Sequence, residues 1–131
     1  MQTLPLRLAP GDDLRATLEN IARSHALDAA FVLQGIGSLS IARLRYAGRD
    51  DPAELRGDLE IVTLAGSLSP DGAHLHMSVS DRDGRVYGGH VAQGCIVRTT
   101  AEILVASLAQ HRFSRETDPA TGFPELVVRP R

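Results

Sequence analysis

Two histidines stand two residues apart in Ala73-His74-Leu75-His76-Met77, and their type and spacing offer the most direct chemistry in this chain. On a β-strand, positions i and i+2 project from one face roughly 7 Å apart, so the two imidazoles stand side by side. Neutral imidazole is a good donor to zinc and similar divalent ions, and such a pair supplies two ligands at once. The intervening positions Ala73, Leu75, Met77 and Val79 are apolar. They form a core face, which sends His74 and His76 to the opposite face with Ser78 and Ser80.

A third imidazole, His90, joins them only in one register, because a slip of one residue would turn it to the other side of the sheet. The turn signal Asp81-Arg82-Asp83-Gly84 lies between the two runs. A three-residue loop, Arg82-Asp83-Gly84, places glycine at the position that adopts the left-handed conformation. Asp81 then faces Arg85, Ser80 faces Val86, Ser78 faces Gly88 and His76 faces His90. A two-residue loop would set His90 opposite Leu75, on the wrong face unless Gly88-Gly89 forms a compensating bulge. Three imidazoles with an open fourth position suit a catalytic zinc site better than a closed structural one, which prefers four ligands rich in cysteine. Such an ion can polarise a carbonyl and support hydrolysis, lyase chemistry or enolate formation.

Other polar residues carry weaker signals. Glu102 and Glu60 are candidates for a general base or for orienting a ligand histidine, and each is equally well an ordinary ion-pair residue. Arg45 and Arg98 are candidates for holding an anion near the metal. His25 closes a helix, where a cationic imidazole complements the dipole, and His111 lies near a polar turn. Gly35-x-Gly37 lacks the third glycine and the following helix of a phosphate-binding loop. Cys95 reads as a small buried residue.

The elements that must position these groups follow from periodicity. Leu4, Leu6 and Leu8 alternate with polar residues as in a half-buried strand, and Pro5 pushes it to an edge. Asp12 is the expected N-cap of an amphipathic helix over 13–25, carried by Leu14, Leu18, Ile21 and Ala22. Residues 29–33 and 39–46 read as two strands separated by Gly35-Ile36-Gly37-Ser38, a turn or bulge. Residues 49–54 read as a charged loop, 59–68, 73–80 and 85–91 as strands, and 95–108 as a strand or helix whose Thr99, Thr100, Ile103 and Val105 favour strand. The tail, 117–131, is expected to wrap the surface, with a turn at Thr121-Gly122-Phe123-Pro124 and a short edge strand at Leu126–Val128. The sum is one α+β domain over residues 1–131, a mostly antiparallel sheet with one main helix packed on it.

Composition narrows the function classes. The chain has 131 residues, 43% of them hydrophobic and 23% charged, a globular balance. Aromatic residues make up 4%, with no Trp, so the core is aliphatic. A formal net charge of −2 offers no general attraction to nucleic acid. A single cysteine excludes an intrachain disulfide and fits a reducing cytoplasm. No run approaches the roughly 20 apolar residues of a membrane span, so no membrane partner is expected.

Gly57-x-Leu59-Glu60-Ile61-x-x-Leu64-x-Gly66, His74-Leu75-His76, Gly88-Gly89-His90 and Thr100-Ala101-Glu102-Ile103 together resemble the plant and prokaryote conserved (PPC) domain family. Arg7-Leu8-Ala9-Pro10-Gly11-Asp12-Asp13-Leu14 and Gln34-Gly35-Ile36-Gly37-Ser38 extend the likeness over nearly the whole chain. The resemblance implies a homotrimer and a metal site at His74, His76 and His90. Plant relatives join this domain to AT-hooks, which implies a DNA-binding or transcription-associated module as an alternative. This chain lacks the Arg-Gly-Arg-Pro hook, and Arg129-Pro130-Arg131 is too short to replace it. The fold also resembles acetolactate decarboxylase, which implies a metal-dependent lyase as a further alternative, although a fold does not transfer a reaction. The leading expectation is a zinc-binding homotrimeric domain that takes a small anionic ligand at the metal.

Overall fold

A computed structural model describes all residues 1–131. The chain runs through β1 (Gln2–Leu8), α1 (Leu14–Ser24), β2 (Ala30–Arg45), β3 (Ala53–Ser69), β4 (Gly72–Ser80), β5 (Val86–Val91), β6 (Ile96–Ser107), β7 (His111–Thr117) and β8 (Pro124–Pro130). The α+β reading holds: every strand pairing is antiparallel, and α1 is the one helix.

Six strands form one sheet in the order β1-β6-β2-β3-β4-β5, and β5 also pairs with the far end of β2. That second pairing sets Leu44 opposite Val91 and Arg45 opposite His90, closing β2, β3, β4 and β5 into a ring. As Pro5 foretells, β1 lies at a sheet edge, where a missing amide hydrogen costs no ladder bond. The interior is aliphatic, with Val32, Leu39, Leu44, Leu64, Leu68, Leu75, Val79, Val91, Val97 and Val105 almost fully buried. Leu14, Leu18 and Ala22 recur every four residues along α1 and complete this core from one side.

Several expectations need correction. The N-cap is Asp13, which accepts the Ala16 N–H through Oδ1 at 3.0 Å and the Gly94 N–H through Oδ2 at 2.7 Å. Asp12 is occupied elsewhere, accepting the Ala9 N–H at 2.9 Å across the Pro10-Gly11 turn. Residues 35–38 do not separate two strands; they run within the continuous β2, whose register against β6 shifts at Val32/Gln34 and Gly37/Leu39. These bulges absorb the extra residues without ending the strand. β3 begins at Ala53, inside the stretch expected to be loop. Finally, the strand expected at Leu126–Val128 is present but longer, as β8. β8 pairs with β7 over its full length, from Thr117–Pro124 to His111–Pro130, in a separate two-stranded sheet. Phe113 of this hairpin is buried and meets Phe31 edge to face at 5.5 Å between ring centroids.

Candidate metal centre

The hairpin between β4 and β5 forms with the three-residue loop. The Asp81 N–H donates to the Arg85 carbonyl at 2.9 Å, the Gly84 N–H donates to the Asp81 carbonyl at 3.0 Å, and Gly84 takes a φ of 77°. Asp81 also accepts the N–H groups of Asp83 and Arg85 through Oδ1, at 2.9 and 3.0 Å, which fixes the turn from within. The register is therefore Ser80 with Val86, Ser78 with Gly88 and His76 with His90. Along β4, Ala73, Leu75, Met77 and Val79 are buried and the histidines face outward.

Neighbouring strands extend this row. Ala65 on β3, His76 on β4, His90 on β5 and Arg45 on β2 stand opposite one another in succession, while Ser67 on β3 stands opposite His74. The β5–β2 approach depends on Gly89, because a Cβ there would lie 2.8 Å from the Arg45 carbonyl oxygen. The helix secures the other side: Glu19 Oε2 accepts the N–H of Ala73, the residue before His74, at 3.2 Å.

One ligand nitrogen from each of His74, His76 and His90 falls within 4.8 Å of the others. The Nε2 atoms of His74 and His76 are 3.2 Å apart. Two nitrogens bound tetrahedrally to one zinc at about 2.0–2.1 Å would lie about 3.3 Å apart. This pair already has that spacing, and a ring nitrogen of His90 lies within 4.8 Å of a ring nitrogen of each. Burial, followed by the charges of Arg115, His76, His90 and Arg15, holds the His74 pKa down at about 4. Burial, then Arg45 and His76, lowers that of His90. Both imidazoles are thus neutral donors at neutral pH, the form a metal requires.

The histidines open into a cleft of about 540 Å³ that Arg15, Arg45 and Arg115 also line, together with Asp71 and Glu125. Of the expected anion-binding residues, Arg45 is here and Arg98 is not. Arg98 lies near Asp58 at 3.8 Å and Glu60 at 3.6 Å, so two of the candidates, Arg98 and Glu60, pair with each other away from the histidines. Glu102 is exposed on β6, in register with Arg7 of β1 and Ile36 of β2, outside the cleft lining. Cys95 is fully buried, and His25 caps α1, its Nδ1 lying 3.0 Å from the Ile21 carbonyl. Arg15 and Arg115 carried no sequence signal. One comes from the first turns of α1 and the other from a strand whose position depends on long-range packing.

The model of the Plants and Prokaryotes Conserved (PCC) domain, the family anticipated above, matches residues 1–109. A "Bifunctional protein GlmU" from Synechococcus sp. strain JA-3-3Ab is 52% identical over 128 residues, covering 98% of this chain and 21% of that protein. The chain thus spans about a fifth of that relative's length. A hypothetical protein from Salmonella enterica superposes with a TM-score of 0.97 at 38% identity, covering 99% of this chain and 94% of that one. The metal-containing protein AF0104 from Archaeoglobus fulgidus superposes at 0.84 with 27% identity, covering 97% and 94%. A candidate DNA-binding protein from Ralstonia eutropha JMP134 does so at 0.83 with 28% identity, covering 95% and 90%. A Staphylococcus aureus protein similar to α-acetolactate decarboxylase shares the fold at a TM-score of 0.50 and 16% identity, covering 82% and 52%.

Proposed function

Because the chain belongs to the Plants and Prokaryotes Conserved domain family, with a metal-containing structural neighbour, we propose that it binds one zinc ion through His74, His76 and His90. The observation that carries this reading is the convergence of three ligand nitrogens within 4.8 Å on two paired strands. No thiolate joins them, which matches an open site rather than a closed structural one. A divalent ion held there would supply Lewis-acid chemistry at its remaining coordination position. The chain's own contribution is to keep His74 and His90 neutral and to line their cleft with Arg15, Arg45 and Arg115, whose charge attracts a small anion.

The same reading includes assembly as a homotrimer. Leu33 and Ile36 on β2, Val62 on β3 and Leu104 on β6 are 37–50% exposed on three neighbouring strands, an apolar outer face that supports burial against further copies. A DNA-associated role has one supporting observation, the described role of the Ralstonia neighbour. The charge balance of 14 basic against 16 acidic residues works against it.

Metal analysis of the purified protein tests the main reading. Near-stoichiometric zinc is expected in the unaltered chain. His74→Ala and His90→Ala should each lose more than the roughly 10–100-fold in affinity that loss of an outer-sphere partner costs. Equal, negligible zinc in all three proteins would sink the proposal.

A further inference from the structure

The charge inventory of the histidine cleft is uneven. Arg15 is committed to structure: its Nη1 donates to the Val91 carbonyl at 3.1 Å and its Nε lies 3.4 Å from Glu19 Oε1. Arg45 and Arg115 have no carboxylate within ion-pair distance. Arg45 donates to the Arg49 carbonyl of its own loop at 3.2 Å. Arg115 is held differently. Its Nη2 donates at 2.9 Å to Ser67 Oγ, and Ser67 is only 6% exposed and sits directly across the ladder from His74. Its backbone N–H donates to Asp71 Oδ2 at 2.8 Å, which fixes the strand that presents it. A guanidinium has five donors in a planar fork matched to a carboxylate, and one bond to a hydroxyl leaves most of that fork free.

The hairpin that delivers Arg115 lies beyond residue 109, outside the span matched by the family model. Family membership alone therefore does not account for this residue at the site. We infer that Arg115 is the anion-recognition residue of the histidine cleft and that its ligand is a small monocarboxylate. This deepens the metal-site reading and rests on it for the histidine side of the cleft. A single negative charge fits better than the two of a phosphate, because Asp71 and Glu125 share the lining and repel excess charge. Charge-assisted bonds from an oriented guanidinium are the stronger class of hydrogen bond, so losing them has a measurable cost.

Pyruvate serves as the probe, with binding to the zinc-loaded protein followed by broadening of its methyl NMR signal and zinc content measured separately. Arg115→Gln should weaken pyruvate binding on the order of tenfold or more, Arg115→Lys should recover part of it, and zinc content should stay unchanged. Arg112→Gln, on the same strand, should behave as the unaltered protein. Unchanged pyruvate binding in Arg115→Gln, equal weakening in Arg112→Gln, or tighter binding of inorganic phosphate than of pyruvate would each overturn the assignment. Loss of zinc from Arg115→Gln would also overturn it, by placing the residue in assembly of the centre. If the unaltered protein holds no zinc, the metal reading fails, and the same titration of metal-free protein still decides the role of Arg115.

Discussion

Cys95 is the one thiol in the chain, and its surroundings withdraw it from chemistry. Its Sγ accepts the Arg43 N–H at 3.2 Å and donates to the Arg43 carbonyl at 3.4 Å, inside the core. Burial raises its pKa from 9.0 to about 11, a shift that the Arg43 hydrogen bond only partly opposes. The folded state therefore keeps its proton where the unfolded chain gives it up. This contribution to stability is fully present below pH 9 and is lost as pH rises through about 11. Urea midpoints at pH 8 and pH 10.5 should diverge more for the unaltered protein than for Cys95→Ala, and equal slopes would refute the account. His74 shows the opposite shift for a related reason: burial and nearby cations disfavour its charged form.

Among the elements, the β4–β5 hairpin matters most, and two adjacent glycines in it have different duties. A Cβ on Gly89 would press against the Arg45 backbone at 2.8 Å, whereas one on Gly88 would meet nothing closer than the Met77 carbonyl at 3.5 Å. Gly89→Ala should destabilise by about 1–3 kcal/mol and reduce zinc retention, because Arg45 is the ladder partner of His90. Gly88→Ala should leave both nearly unchanged. Chemical denaturation of the two variants makes the comparison, and similar losses would contradict it. The hairpin was legible in the sequence because its determinants are local: alternation along Ala73–Ser80, a polar turn and Gly84. β2 was harder to read because its bulges consume residues that look like a break. Arg115 could not be found, since its place beside Ser67 depends on a hairpin docking from 48 positions away.

At the scale of the whole molecule, the apolar outer face of β6, β2 and β3 carries the assembly proposal. Ile36→Glu places a charge at a half-exposed position, 49% accessible in the isolated chain, where an intersubunit contact would have to desolvate it. Light scattering should then report the mass of one chain in place of three, and an unaltered trimer mass would rule this face out as the contact. No helix is long and apolar enough to cross a membrane. The long strand β2 ties the domain together by bonding to β3, β6 and β5. His90 consequently has a strand on either side, with His76 across one ladder and Arg45 across the other. With its backbone paired on both flanks, His90 is positioned by ladder bonds that do not depend on an ion. Occupancy of such a centre would follow the free-metal level of its surroundings while the fold stays as it is, unlike domains whose folding waits for the ion.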